Sequence, residues 1–501
     1  MSAQKYNILF ITFATLTANM GFLLFDYNMS VFNSVRPYMN EYVFPDASSG
    51  VLSFIPSAST ITAAIASIFA GSLCAKYGRR KIMLLSDINA IVGVILTLVA
   101  SLPAVIIGRL LLGFTFGITT VVIPIYFTEI PPIEYVGAAG IGLSVLASIG
   151  VLAAFCLGLA VPDEMAPGET SETWRILQAI TILIAIVRII NFLFFFKYET
   201  PQYLVAHNKM EEAEKALAQV YREGIKERME ELVKERDFIN SQGKVKITEL
   251  FTRKYRRALA VCVVMLSLQQ ISGLNIVMVF AKTIFADGID ETSKTPTYYS
   301  IALAAVFHAS SYSLFYFLNK FSRRTLMVYG TFAMGLVELL FGIISKAAGP
   351  SSFGSKIFLI LWPIPFVLST GTLPNIMLSE TLPEIGCSVC LLANWIWGFL
   401  TVQFFPDLTD AMGINGLFIL IGSICVVSSV YLYFEAVETK GRHKTEILQQ
   451  YNGTLKKSKV HEEMRNEKNA SDLETLKESS TPADKSVIPP ESPELALVAD
   501  K

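Results

Sequence analysis

The chain has 501 residues, of which 52% are hydrophobic and only 17% charged, and its mean hydropathy is +0.50. So few charged residues could not cover the apolar surface of a soluble core of this size, so we expect the lipid bilayer to be the solvent for most of the chain. The formal net charge of -1 hides a strong segregation of Lys and Arg along the chain, and nothing in it favours a nucleic-acid partner.

Apolar segments of about 20 residues recur twelve times, and each is long enough to cross the hydrocarbon core. The first lacks the small-residue cleavage site of a signal peptide, so we expect it to remain as a membrane helix. We number the predicted segments as spans 1 to 12: 7–35, 50–75, 82–102, 104–128, 137–161, 175–197, 256–285, 297–318, 323–346, 355–379, 387–406 and 413–435.

A charged stretch from Tyr198 to Arg257 separates the first six spans from the last six. The sequence therefore predicts an all-α membrane protein made of two six-helix bundles, residues 1–197 and 256–436. Between them lies a linker, 198–255, in which Lys209 to Ile239 shows the pattern of short amphipathic helices. The tail, 437–501, is predicted to be disordered after about residue 451, because its Lys, Glu, Ser and Pro cannot repay the entropy of ordering.

Positive charge predicts the orientation. Cations follow spans 2, 6, 8 and 12, and they include Lys76, Arg79, Arg80 and Lys81, a cluster in the linker, Lys320, Arg323 and Arg324, and Lys440, Arg442 and Lys444. The opposite connections carry mainly acids: Asp46, Asp163, Glu164, Glu169, Glu172, Asp290 and Asp410. We therefore expect the linker and both termini to be cytoplasmic, with no N-glycan at the sequons of Asn28, Asn452 and Asn469.

The two halves share short motifs. Lys76–Arg80 recurs as Lys320–Arg324, Glu129–Pro132 as Glu380–Pro383, and Glu199-Thr as Glu438-Thr. A parallel repeat of six-helix units is typical of transporters that rock two bundles about a central site.

On these residues the chain resembles the sugar porters of the major facilitator superfamily. The resemblance covers about residues 7–450, and its markers are Gly71–Arg80, Gly108-Arg109, Pro124–Glu129, Glu199–Leu204, Gln269–Asn275, Asn394-Trp395 and Glu438–Gly441. It implies the major facilitator fold, a sugar or polyol as the small-molecule substrate, and no bound cofactor.

The resemblance also implies that the motif of span 7 binds sugar, through Gln269, Gln270 and Asn275, with Asn394 of span 11 beside them. An amide can pair with either role of a hydroxyl group because it both donates and accepts. On one straight helix these three side chains would point in separate directions, so we expect a break at Gly273. The alternative is that the amides only tie neighbouring helices together.

Several sugar contacts of the family are replaced in this chain. Our alignment finds Ser144, Phe307, Gly398 and the segment Gly371–Asn375 in their places. These departures put glucose itself in doubt, although Asn375 and His308 could supply substitute contacts. His308 could instead satisfy only a local hydrogen bond.

A second set of residues implied by the resemblance is a cytoplasmic gate. Four glutamates face four arginines: Glu129, Glu199, Glu380 and Glu438 with Arg79, Arg80, Arg323 and Arg324. Two further arginines of the family are replaced by Val136 and Cys387. The alternative is a solvated, positively charged inner face.

We expect three ionisable residues within apolar segments, Asp26, Arg109 and Glu338, and such groups suggest function or pairing. Arg109 matches the helix 4 arginine of the family. The family's symporters carry an aspartate where this chain has Asn28, and Asp26 lies about 200° away around the helix.

These observations predict a facilitative carrier for a hexose or small polyol in the plasma membrane. The alternatives are a proton-linked symporter of the same fold and a non-transporting sugar sensor. The chain contains neither His-Glu-x-x-His nor Gly-x-Ser-x-Gly, so we expect no enzyme. Cys387 and Cys390 lack the second pair that a zinc site would need, so we expect no metal.

Overall fold

The computed structural model describes residues 5–162, 171–242, 245–287, 294–349, 352–442 and 444–453. Within them the chain is helical, apart from loops and one antiparallel bridge between Tyr6 and Tyr221. The tail beyond residue 453, with Asn469, lies outside the described residues. So do Asp163, Glu164, Glu169 and Asp290 of the predicted outer loops.

Six long helices form the N-terminal half. They are α1 (Ile8–Tyr38), α2 (Ser49–Tyr77), α3 (Arg79–Thr97), α4 (Leu102–Glu129), α5 (Ile133–Leu157) and α6 (Thr173–Phe194). A π-helical turn, Met39–Val43, extends α1. Arg79, Arg80 and Lys81 were predicted to precede span 3, but they form the first turn of α3.

The linker contains α7 (Pro201–Ala206), α8 (Met210–Val220) and α9 (Ile225–Gln242). The apolar face of α8 buries Ala213, Ala216, Leu217 and Val220. The N-terminal segment binds the linker, because the backbone N–H of Asn7 donates to the carbonyl of Val220 at 2.9 Å.

The C-terminal half is built from α10 (Arg256–Ile271), α11 (Leu274–Ala286), α12 (Thr295–Lys320), α13 (Arg323–Ala348), α14 (Phe353–Leu361), α15 (Pro363–Phe366), α16 (Leu373–Thr381), α17 (Glu384–Gln403) and α18 (Phe405–Glu435). Predicted span 7 corresponds to α10 and α11. Span 10 corresponds to α14 to α16, with a π-helical turn at Val367–Gly371. A last helix, α19 (Lys444–Tyr451), binds this half through the Lys444 Nζ, which donates to the Leu382 carbonyl.

Eleven stretches of the described residues are long and apolar enough to cross a membrane. The remaining predicted span corresponds to α3, whose 19 residues include Arg79, Arg80, Lys81 and Asp87. An apolar stripe of α3 faces outward, as a lipid-facing helix requires: Leu85, Ile88, Val92 and Ile95. The count of twelve spans stays a prediction.

The repeated turn between the second and third helices of each half is built in two ways. Gly78 has a φ of +98°, and a Cβ there would come within 2.4 Å of the Glu199 carboxyl, so this turn requires glycine. At the repeated position Ser322 has a φ of -71°, and its side chain accepts from the backbone N–H of Thr325. The serine therefore caps α13, and its difference from glycine does not disturb the repeat.

The two halves pack against each other through three helix pairs: α1 with α11, α2 with α17, and α5 with α12. We call the end of the bundle that carries α7 to α9 the linker side. The N-terminal segment and α19 both lie at this end. Its assignment to the cytoplasm stays a prediction.

Candidate functional site

Four amide side chains meet where α10 gives way to α11. The helix breaks at Gly273, which has a φ of +90°, as the motif predicted. Asn275, just beyond the break, donates from Nδ2 to Gln270 Oε1 at 2.8 Å. Gln270 Nε2 in turn donates to Asn394 Oδ1 on α17 at 3.0 Å. The break therefore brings residues from both of its sides to one place.

Gln269 extends this amide cluster to the broken helix of span 10. Its Nε2 donates to the carbonyls of Thr370 and Gly371, at 3.1 and 2.8 Å, and its Oε1 accepts from Asn394 Nδ2 at 2.9 Å. Both carbonyls belong to the π-helical turn Val367–Gly371, and such turns are frequent at functional sites. The amide cluster thus joins α10, α11, α17 and the π-helical turn.

The surroundings of the cluster include Gly398, which replaces a family contact, and two aromatic residues that the sequence did not assign to the site. A Cβ at Gly398 would lie 3.0 Å from Asn275 Nδ2, so the glycine leaves room beside the amides. Trp395 is buried, its indole N–H has no hydrogen-bond partner among the described residues, and its ring lies 5.9 Å from that of Phe25 on α1. An aromatic face and an unused donor are both suited to a polyhydroxylated ring.

His308 and Asn375 are not joined to the amide cluster by the hydrogen bonds described. His308 Nδ1 lies 3.0 Å from Ser148 Oγ on α5, in the other half, and Nε2 lies 3.3 Å from Tyr312 Oη. Ser148 Oγ also donates to the Val145 carbonyl of its own helix at 2.8 Å. Asn375 is exposed in the first turn of α16.

Arg109 is fully buried in α4 and binds neutral groups. Its Nη1 donates to Asn28 Oδ1 at 2.8 Å, its Nη2 donates to Ser59 Oγ at 3.0 Å, and its guanidinium lies 4.4 Å from the ring of Phe32. Asp26 is half-buried and is not among these partners. The acceptor at the family's symporter position is therefore an amide that does not titrate.

The expected set of three intramembrane charges was incomplete. Asp87 of α3 and Arg188 of α6 form a buried ion pair at 2.5 Å, with side-chain exposures of 0% and 1%. Arg188 Nε also donates to the Thr17 carbonyl of α1 at 3.3 Å. Both residues lie inside predicted spans, Asp87 in span 3 and Arg188 in span 6, so each was a usable signal that the sequence analysis missed. Of the expected set, Glu338 accepts from the indole N–H of Trp362 at 2.9 Å.

The predicted gate residues of the N-terminal half are joined to one another. Arg79 pairs with Glu129 at 2.6 Å, and Thr200 donates to the other oxygen of Glu129. Glu199 accepts from the backbone N–H groups of Arg80 and Lys81, at 3.0 and 3.1 Å. A carboxylate at this point also complements the dipole of α3.

The C-terminal half repeats this arrangement. Arg323 pairs with Glu380, and Glu438 accepts from the backbone N–H groups of Arg323 and Arg324, at 3.2 and 3.1 Å. Arg80 donates to carbonyls at and just beyond the end of α6, and Arg324 donates to a carbonyl near the end of α18. The two described ion pairs of the predicted gate, Arg79 with Glu129 and Arg323 with Glu380, therefore each lie within one half.

At the opposite end of the bundle the two halves bind each other. Ser57 of α2 donates to Gln403 Oε1 of α17 at 2.7 Å, and Asn33 of α1 accepts from the backbone N–H of Lys282 at 2.7 Å. The guanidinium of Arg36 lies 4.4 Å from the ring of Phe280. None of these contacts was predicted, because each partner lies more than one span away along the chain.

The family described as "Sugar (and other) transporter" matches residues 14–451. The chain belongs to this sugar transporter family. Its members are transporters rather than enzymes, and the chain is a multi-pass membrane protein.

Named relatives of this family member include plastidic glucose transporter 4 of Arabidopsis thaliana, which is 27% identical over 442 residues, 86% of this chain and 78% of the relative. Solute carrier family 2, facilitated glucose transporter member 3, of Canis lupus familiaris is 27% identical over 481 residues, 90% of this chain and 94% of the relative.

Among solved structures, the major facilitator proton:xylose symporter XylE bound to 6-bromo-6-deoxy-D-glucose superposes with a TM-score of 0.75 at 18% identity, covering 89% of this chain and 100% of that one. An inward open conformation of XylE from E. coli gives 0.72 at 17% identity, covering 88% and 99%. The fold of this sugar transporter is therefore the major facilitator fold.

Proposed function

We propose that the protein transports a hexose or a related small polyhydroxylated solute by alternating access. The observation that carries this proposal is the amide cluster of Gln269, Gln270, Asn275 and Asn394 at the break of span 7. Its donors and acceptors are those that sugar hydroxyls need, and relatives covering most of the chain are named as glucose and hexose transporters. Ser144 and Gly398 lie where the family has amides, so the proposal does not specify glucose as the substrate.

We further propose uniport. The acceptor of Arg109 is the neutral amide of Asn28, so no carboxylate in this pair can take up a proton during the cycle. We also propose a gate for this alternating access. The glutamates at the linker side attract the arginines of the opposite half when that side closes.

The second candidate is a proton-linked symporter. It is favoured by one observation, the half-buried carboxylate of Asp26 in α1, which lies two residues from Asn28. The experiment is uptake of labelled sugars and polyols into proteoliposomes, with and without a pH gradient. Uniport predicts that the final internal concentration equals the external one in both conditions. Accumulation above it, abolished by Asp26→Asn, would establish symport instead.

A substitution sharpens this test. Asn28→Asp places a titratable carboxylate beside Arg109, so sugar exchange in this variant should acquire a dependence on pH that the wild type lacks. Asp26→Asn serves as the matched control and should leave exchange flat with pH. A wild-type exchange rate that itself changes with pH and is flattened by Asp26→Asn contradicts uniport.

We also propose the plasma membrane as the location, with the linker and both termini in the cytoplasm. Segregation of Lys and Arg to the linker side supports this orientation. The fluorescence of a tagged full-length chain in cells reports its location. The access of protease to tags at each end reports its orientation. An organellar pattern, as the names of the plastidic relatives imply for those proteins, would contradict the proposed location.

A further inference from the structure

An apolar groove runs along the outer face of the C-terminal half, between α12, α13 and the broken helix of span 10. It has a volume of about 460 Å³, and its walls include Phe317, Phe321, Ala333, Leu361, Pro365 and Leu368. Tyr329, Leu361 and Ile364 are exposed along it. These helices lie in candidate membrane spans, so the groove opens toward the bilayer.

The irregular backbone of span 10 shapes this groove. Pro363 and Pro365 interrupt the helix, and the π-helical turn Val367–Gly371 follows them. At its floor, Gly330 of α13 lies so close to this segment that a Cβ would come 2.6 Å from Ser369 Cβ. The two segments touch at this point, and Gly330 also lines the groove.

Hydrocarbon alone gives such a groove no preference among lipids, because every lipid tail is equally apolar. A preference needs a polar anchor, and the linker-side end of the groove has one. Lys320 is exposed, and its Nζ lies 5.8 Å from the ring centroid of Phe321, which forms the groove wall. Its described bond is to Tyr316 Oη at 2.7 Å, and among the described residues it has no carboxylate partner.

The neighbouring cations are placed differently. Arg323 pairs with Glu380, and Lys440 Nζ is bound to the carbonyls of Leu318 and Asn319 at the end of α12. Lys440 therefore adds positive charge close to the groove but caps a helix, whereas Lys320 has donors to spare. An ammonium group at the edge of the bilayer attracts the phosphate of an anionic lipid.

We propose that this groove binds one acyl chain of an anionic phospholipid from the linker-side leaflet, with the lipid phosphate bound to Lys320. The lipid would lie directly behind the amide cluster. Leu368 lines the groove, while Thr370 and Gly371, two and three residues further on, accept from Gln269. The same short segment thus faces the lipid on one side and the substrate site on the other.

Photo-crosslinking tests the site without any transport assay. The full chain is reconstituted in phosphatidylcholine vesicles that contain a trace of phosphatidylserine with a diazirine in its acyl chain, and the adducts are mapped by mass spectrometry. We expect the adducts to concentrate on the helices that line the groove. Ala333→Trp fills the groove and should reduce them several-fold. Leu336→Trp enlarges a lipid-facing side chain of the same helix outside the groove and should leave them unchanged.

Competition with unlabelled lipid tests the anchor. Phosphatidylserine should displace the probe better than phosphatidylcholine in the wild type, and Lys320→Gln should abolish this difference while the total of adducts elsewhere stays constant. Adducts spread evenly over all lipid-facing helices, or insensitive to Ala333→Trp, would overturn the proposal. Stronger displacement by a sterol than by phosphatidylserine would also overturn it, since the occupant would then be a sterol.

Discussion

At the scale of single residues, Gln270 is the centre of the candidate site. It donates to Asn394 and accepts from Asn275, so it joins the two sides of the helix break to α17. Such a network can present its remaining hydrogen-bonding capacity to a substrate, or it can serve only to hold the helices together. Both interpretations were open from the sequence, and the geometry makes them separable by experiment.

Gln270→Ala should weaken substrate binding by about 2- to 13-fold, because a hydrogen bond contributes about 0.5 to 1.5 kcal/mol. The measurement is the KM of sugar uptake together with the thermal unfolding temperature. Asn89→Ala is the matched control, because Asn89 ties α3 to α4 through Leu111 and Thr115. It should lower the unfolding temperature and leave the KM unchanged. If Gln270→Ala behaves like this control, the cluster is structural.

At the scale of secondary-structure elements, spans 7 and 10 are both interrupted helices, and their irregular segments meet at Gln269. A break frees backbone groups that must find other partners in a membrane. The carbonyls of Thr370 and Gly371 find theirs in the Gln269 amide. The sequence predicted the break at Gly273, since glycine tolerates a left-handed backbone. It did not predict the π-helical turn of span 10, whose carbonyls accept from Gln269.

Gly273→Ala should destabilise the protein by about 1 to 2 kcal/mol, because alanine is strained at a φ of +90°. Gly137→Ala is the matched control. A Cβ meets nothing within 4 Å at either position, but Gly137 lies in a regular helix. Thermal unfolding in detergent should show a lower midpoint for the first variant and an equal or higher one for the second. Equal midpoints would mean that the break does not depend on the glycine.

The ion pair of Asp87 and Arg188 connects three helices of the N-terminal half. Either Asp87→Leu or Arg188→Met alone should cost about 3 to 5 kcal/mol, because each leaves a buried charge without a partner. The double variant should be more stable than either single one, because it removes both charges. A double-mutant cycle on the unfolding free energy measures this, and additive losses would contradict a coupled pair.

At the scale of the whole molecule, the two halves bind each other at the end opposite the linker, whereas the two described ion pairs of the predicted gate each lie within one half. Ion pairs of this partly exposed kind contribute only about 0.2 to 1 kcal/mol each. The two states of a carrier differ by a few kcal/mol, so a small set of such contacts is able to decide which state dominates.

Glu129→Gln with Glu380→Gln removes the pairs within each half from both states, but it removes the proposed attraction to arginines of the opposite half only from the linker-closed state. The population should therefore shift toward the state that is open at the linker side. Labelling of a cysteine introduced on that side of the cavity should rise, and labelling of one on the opposite side should fall. Gln403→Ala removes the bond to Ser57 at the other end and should shift both signals in the opposite direction. If the glutamate variant leaves both signals at wild-type levels, the glutamates belong to a solvated face.

By itself, the sequence determined the membrane class, the two halves with their charged linker, the repeated motifs and the amides of span 7, because apolar length, charge segregation and motif spacing are properties of the linear chain. Only the tertiary structure decided the partners. Asp87 meets Arg188 across 101 residues, and Ser57 meets Gln403 across 346, at distances that no local pattern reports. The same holds for the neutral partners of Arg109, since its acceptors lie on other helices. In a bilayer a buried polar group must find an internal partner, and which one it finds depends on how the helices pack.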